Sequence, residues 1–273
     1  MIKSKGKLWK YLILCIIAGV FLLPVAWIVL SSMKTSSELY RWPPAILPSK
    51  FTLDNYILAF EKGEFGVYFW NSLFVTVTST ILTIVINTMA GYGLAKYRFK
   101  GDNFLLFGFI ATLMIPIEVI MIPIFSVVKA FGMYNSLWGL IIPPAATPTG
   151  LFIVRQYLLS VPDELLEAAR IDGASEWCIF YRIILPIAKP VIAVLGIFSF
   201  MWRWNDYIWP LIVISDPKKY TIQLAISNFI GEFNVDWNSL LAMSVISMIP
   251  VLIVFLIFQK QFVQGMVTSG MKD

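Results

Sequence analysis

The sequence predicts an all-α membrane protein that crosses the bilayer six times, and three observations lead there. The 273 residues are 59% apolar and 14% charged, with a mean hydropathy of +0.79, which leaves too little polar surface to cover a water-soluble core. Residues 11–30, 65–95, 130–154 and 237–259 carry no charge, and each run reaches the roughly 20 residues that a helix needs to cross the hydrocarbon layer. Their hydrophobicity is continuous rather than alternating, which excludes a β-barrel.

Taken in order, the first span is 11–30. Lys3, Lys5, Lys7 and Lys10 precede it as in a secretory signal, but its apolar run exceeds the roughly 7–15 residues of a signal core and no A-x-A-like site follows. It is expected to stay as an anchor. In "RWPPAILPSKFTLDNY" three prolines keep residues 42–48 extended, and Thr52 or Asp54 is placed to cap a short helix. The second span is 70–95. The third, 104–128, tolerates Glu118, and a turn at 131–134 leads to the fourth, 135–154. The fifth, 191–213, holds Arg203 and Asp206, and the sixth is 238–259. With no internal repeat, heptad pattern or low-complexity tract, 1–273 reads as one membrane domain with a loop at 155–189 and a tail at 260–273.

Six spans put both termini on one side of the membrane. Thirteen Lys and Arg residues fall on the side of the termini against seven on the other, with Arg203 inside the fifth span, so both ends are expected in the cytoplasm. The asymmetry accounts for the basic balance, and nucleic acid need not be invoked. Cys15 lies in a span and Cys178 in a loop, so no disulfide framework is expected.

The loop contains "LLEAARIDGASEWCIFYRIILP" at 165–186, whose five charged side chains are out of place in so apolar a chain. Pro162 suits a first helical position, Asp163 and Glu164 favour the positive end of the helix dipole, and Gly173 can end the helix in a left-handed conformation. Ser175 can cap a second helix, in which Trp177, Phe180, Tyr181 and Ile184 form one apolar stripe before Pro186 and Pro190 turn the chain back. The simplest reading is an amphipathic pair lying on the bilayer surface.

The spacing says more. Glu167, Ala168, Ala169, Gly173, Ile183, Leu185 and Pro186 match the pattern E-A-A-x3-G-x9-I-x-L-P, and the segment resembles the EAA loop of ABC importer permeases. "PPAILPSKFTLDNY", "LMIPIEVIMIPIF", "WNDYIWPLI" and the ending "GMVTSGMKD" extend the resemblance to carbohydrate importers, on the side of the smaller, maltose-type permease partner. The resemblance implies a type I importer (MetI-like) core with cytoplasmic coupling helices, in a bacterial cell membrane. It also implies a second homologous permease, two ATPase subunits, an external solute-binding protein, and a sugar, oligosaccharide, sugar alcohol or glycerol-phosphate as cargo. In that family the loop sits in a cleft of the ATPase, which implies contact roles for Glu167, Ala168, Ala169, Asp172, Gly173, Ile183, Leu185 and Pro186. The two alanines let a partner come close, and Glu167 offers a carboxylate to an arginine. The family's tail reaches between the ATPase subunits, which implies roles for Gly265, Gly270 and Met271.

A charged residue at the centre of a span costs roughly 2.5–3.5 kcal/mol on insertion scales, so Glu118, Arg203 and Asp206 are expected to face protein or water. Glu118, Asn205, Asp206 and Trp209 are candidates for a sugar path, whereas Arg203 and Asp206, at i and i+3, can equally well neutralise each other. A proton-coupled secondary transporter using Glu118 and Asp206 is the alternative, favoured by the prolines that break spans three and four. The chain has no histidine and no G-x4-G-K-[ST] phosphate loop. No catalytic or metal site and no cofactor of its own are therefore expected, and ATP with Mg belongs to the partner ATPases.

Overall fold

The structure is a computed structural model that describes the backbone of residues 2–62, 64–230 and 235–270, and the side chains of 9–61, 64–230 and 235–259. Its helices are α1 (Ile2–Ser32), α2 (Ser36–Leu39), α3 (Asp54–Lys62), α4 (Phe65–Lys96), α5 (Asp102–Thr112), α6 (Ile117–Ala130), α7 (Leu137–Ile141), α8 (Pro148–Leu158), α9 (Glu164–Ile171), α10 (Glu176–Ile179), α11 (Leu185–Ile187), α12 (Lys189–Trp204), α13 (Ile208–Val213), α14 (Ile222–Ser227) and α15 (Trp237–Gly270). Trp9–Ser32, Phe65–Lys96, Leu137–Leu158 and Trp237–Gln259 are long and apolar enough to cross a membrane, and the number rises to as many as six if each of two bent helix pairs is one span.

The spans are less regular than hydropathy implies. The run 104–128 is bent by 108° between α5 and α6, where Pro116 pushes Ile115 out of helical geometry and cannot continue the hydrogen-bond ladder. The fourth span is interrupted by a 3-10 turn at Pro143–Ala145. The run 191–213 is not one helix: α12 stops at Trp204, and α13 starts at Ile208. Asn205 turns its amide back onto Met201 O at 2.8 Å, and Asp206 accepts a hydrogen bond from Trp209 N at 3.3 Å, so both polar side chains serve the backbone at the break.

The chain divides into two compact units, residues 1–66 with 225–249 and residues 67–224 with 250–273. In the first, buried Asn55 donates to Ser32 O (2.8 Å) and Lys34 O (2.7 Å) and accepts from Asn238 Nδ2 at 2.8 Å. Lys34 is buried over the Trp27 ring, 4.3 Å from its centroid, and donates to Ala45 O at 2.6 Å. Thr52 accepts from Asp54 N at 3.1 Å in a local turn one residue ahead of the α3 N-cap position, which Leu53 occupies instead of Thr52 or Asp54.

In the second unit, α4 presents a buried polar row. Asn87 donates to Ala145 O (3.2 Å) and accepts from Thr147 N (3.2 Å), Thr83 donates to Pro144 O at 3.3 Å, and Ser72 accepts from Ile222 N at 2.7 Å. These bonds satisfy backbone groups freed where other helices are broken. Gly91 lets α8 come so close that a Cβ there would lie 2.7 Å from Val154 Cγ1, a small-residue contact of the kind that packs membrane helices. Replacing Asn87 with Leu strands a buried carbonyl, at about 1–3 kcal/mol, and a half-buried N–H that costs less. The Asn87→Leu protein should therefore unfold at a clearly lower temperature in thermal scans of the purified protein, and Thr83→Val should lose much less.

Candidate functional site

Between α8 and α12 the chain builds a compact helix-turn-helix on the end of α4. Lys96, the last residue of α4, donates to Val161 O and to Asp163 Oδ1, each at 2.5 Å. This pair draws the chain across before α9 begins, so the helix starts at Glu164 behind Asp163, and Pro162 lies ahead of it rather than in its first turn. Lys96 also holds the Asp163 carboxyl below its ordinary range.

The turn follows the local chemistry. Gly173 has φ +81°, and the bonds Ala174 N→Ala169 O and Gly173 N→Arg170 O, both 3.0 Å, close α9 in a Schellman cap. Ser175 then accepts from Cys178 N at 3.3 Å and starts α10. Arg170 bridges the two helices, with Nε 2.8 Å and Nη2 3.4 Å from the Glu176 carboxylate. The Tyr97 hydroxyl donates to the same carboxylate, and Arg170 lies 5.9 Å from the Tyr97 ring centroid. Arg170 first, then Tyr97, keep the Glu176 carboxyl below its usual range.

After α10 the backbone widens into a π-helix, Phe180–Ile184, over the place where Pro186 cannot donate to the carbonyl four residues back. The widening splits the stripe expected from a regular helix. Ile179, Phe180, Ile184 and Ala188 line up in a core with Tyr92, Val154, Leu158 and Leu166. Trp177 and Tyr181 are 60% and 58% exposed instead, their rings stacked 6.0 Å apart.

The motif residues divide accordingly. Glu167, Ala168, Asp172, Gly173 and Pro186 are exposed. Ala169, Ile183 and Leu185 are half-buried and pack against the loop's own core, so of the two alanines only Ala168 faces outward. The Glu167 carboxylate has no ion pair among the described residues. The same loop also exposes Leu165, Trp177, Tyr181 and Ile171, the last to 86%, apolar exposure that regular helical periodicity did not reveal.

The remaining candidates lie elsewhere. Glu118 is exposed in the first turn of α6 and, among the described residues, shares no hydrogen bond or ion pair with the fifth run. Asn205 is exposed, and half-buried Asp206 lies 3.9 Å from Arg203 Nη1. Trp209 is 7% exposed in a core with Val75, Val128 and Leu140, and its indole N–H donates to Gly139 O at 3.0 Å. Its ring faces are thus engaged by protein. Gly265 and Gly270 fall in the last part of α15, and Met271 lies outside the described residues.

A carboxyl whose folded-state pKa is depressed stabilises the fold above its unfolded pKa and loses that contribution as pH falls through the folded value. In Glu176→Gln, amide exchange in residues 164–179 should therefore run faster than in the unmodified protein. The difference should be level from pH 8 to 5 and shrink below Glu176's ordinary value of 4.5, as measured by hydrogen-exchange mass spectrometry.

With this geometry in view, the chain can be placed among known proteins. It is 35% identical over 259 residues to the arabinooligosaccharides transport system permease protein AraQ of Halalkalibacterium halodurans, covering 94% of this chain and 93% of that one. It is 31% identical to the lactose transport system permease protein LacG of Rhizobium radiobacter, covering 95% and 94%. It is 32% identical to the sn-glycerol-3-phosphate transport system permease protein UgpE of Pectobacterium atrosepticum, covering 94% of each. The fold matches, with a TM-score of 0.84 at 24% identity over 94% of this chain and 96% of the other, a bacterial ABC transporter involved in the import of the acidic polysaccharide alginate. The family of binding-protein-dependent transport system inner membrane components matches residues 87–268, and the chain belongs to that family.

Proposed function

We propose that this chain is the permease subunit of an ABC importer for a carbohydrate or a similar polyhydroxylated solute. Translocation proceeds by alternating access driven by ATP hydrolysis on two partner ATPase subunits. A second homologous permease completes the membrane pathway, and an external solute-binding protein delivers the cargo. Both termini and the loop lie in the cytoplasm, the orientation that the excess of basic residues on that side favours.

One observation carries the coupling role. The loop is fixed inward by a closed core and a charged clamp, yet it turns Glu167, Ala168, Ile171, Asp172, Trp177 and Tyr181 outward. A loop that exposes an unpaired carboxylate and several aliphatic and aromatic side chains fits a protein cleft with an arginine better than it fits water. The substrate class rests on relatives whose names specify arabinooligosaccharides, lactose and glycerol phosphate, all rich in hydroxyl groups.

Glu167→Ala should reduce co-purification of the ATPase and abolish most uptake, because truncating one partner of a buried charged pair commonly costs ~2–5 kcal/mol. Normal uptake with full ATPase recovery would sink the docking claim. Deleting residues 264–273 should leave insertion and ATPase recovery intact but lower substrate-stimulated ATP hydrolysis. Full-length rates in the truncated complex would assign the tail no role in ATPase closure.

A further inference from the structure

A groove of about 420 Å3 runs between α4 and the segment from the π-helix into α12, lined in part by Val85, Met89, Tyr181, Pro186, Lys189 and Ile192. Its size falls in the roughly 300–1,000 Å3 range of small-ligand sites. The α4 wall belongs to the uncharged run that ends just before Lys96, so it lies at membrane depth. The opposite wall begins at Lys189, the first residue of α12, and the Lys189 ammonium is the one charge among the lining residues.

Three of the other cations near the loop are already engaged, and exposed Arg182, which has no ion-pair partner among the described residues, does not line the groove. Lys96 binds Asp163, Arg170 binds Glu176, and Arg155 Nε donates to Leu94 O at 3.2 Å. Lys189 is exposed and has no ion-pair partner among the described residues. The groove therefore offers a hydrocarbon trough, with exposed Val85 and Met89 along it, and an unpaired ammonium at its mouth where span meets loop. A protein helix laid there would have to bring a carboxylate to the membrane boundary to neutralise Lys189. A phospholipid places a phosphate at that level while its acyl chain fills the trough. An anionic headgroup is favoured over a zwitterionic one because it sets no second ammonium beside Lys189.

We propose that this groove binds one anionic phospholipid from the leaflet on the loop side. Phe180, Tyr181, Leu185 and Pro186 line the same groove, so the bound lipid braces the π-helix and the half-buried part of the EAA motif. The proposal does not depend on which solute is carried, and its test needs no transport.

The full-length protein, in nanodiscs of mixed phosphatidylglycerol and phosphatidylcholine, is photolabelled with a trace of a photoactivatable form of either lipid, and the labelled peptides are mapped. Peptides carrying Met89 and Tyr181 should be labelled about fivefold more by phosphatidylglycerol, the ratio that corresponds to roughly 1 kcal/mol for one lysine at an anionic surface. Lys189→Gln should bring the two lipids to near equality. Equal labelling in the unmodified protein, an unchanged preference in Lys189→Gln, or no label at these peptides overturns the proposal. Val85→Trp, which fills the trough, should abolish labelling by both lipids if Lys189→Gln fails to insert, and retained labelling overturns the proposal again. A high-yield cross-link from Met89→Cys to a second permease assigns the groove to protein and overturns it too.

Discussion

The constraint on which the second unit depends is that a break in a membrane helix frees backbone groups that lipid cannot satisfy. Here α4 resolves it. Ser72, Thr83 and Asn87 reach backbone groups at the start of α14 and in the interrupted fourth span, and Asn71 donates to Lys218 O (2.9 Å) and Tyr220 O (3.1 Å). Where α4 does not reach, local side chains serve: Asp206 starts α13, and Asn135 accepts from Ser215 N (3.2 Å) and Asp216 N (3.0 Å). A long helix whose polar side chains are bonded to several neighbours resists rotating alone.

The same helix carries the loop. Lys96 and Tyr97 at its end hold Asp163 and Glu176, while Tyr92 joins the core beneath Ile179 and Ile184. Force applied to the outer face of the loop passes through this core and clamp into α4, and from α4 into the broken spans that it bonds. In the proposed role this is a mechanical path from an ATPase to the membrane interior, made of packed side chains and ion pairs rather than of one hinge.

What was legible in the sequence follows from the range of the forces involved. The four long apolar helices could be read because burial in lipid demands long apolar runs. The Gly173 turn and the Ser175 cap could be read because a left-handed residue and a capping hydroxyl act within one helical turn. The start of α9 was misplaced at Pro162 because a distant lysine decides it. The exposure of Trp177 and Tyr181 was hidden because a π-helix alters the very periodicity from which faces are inferred. Pro116 marks the break in the third span on paper, whereas the break at 205–207 escaped: hydropathy does not register geometry, and the side chains that stabilise a break look the same on paper as those that line a path. Trp209 shows this, since an indole suited to a sugar is used here to close a core.

The division of the motif residues explains why so loose a spacing specifies one object. Ala169, Ile183 and Leu185 lie on different segments, yet all three pack on one core, which fixes the separation between Gly173 and Pro186 by geometry rather than by contact with a partner. Glu167, Ala168 and Asp172 are exposed on the first helix and its C-terminal cap, and among the described residues no side-chain bond involves them. Half of the motif therefore builds the knob and half presents it. Substitutions in the inward half must act through stability and shape, whereas those in the outward half can change partner recognition while leaving the chain folded.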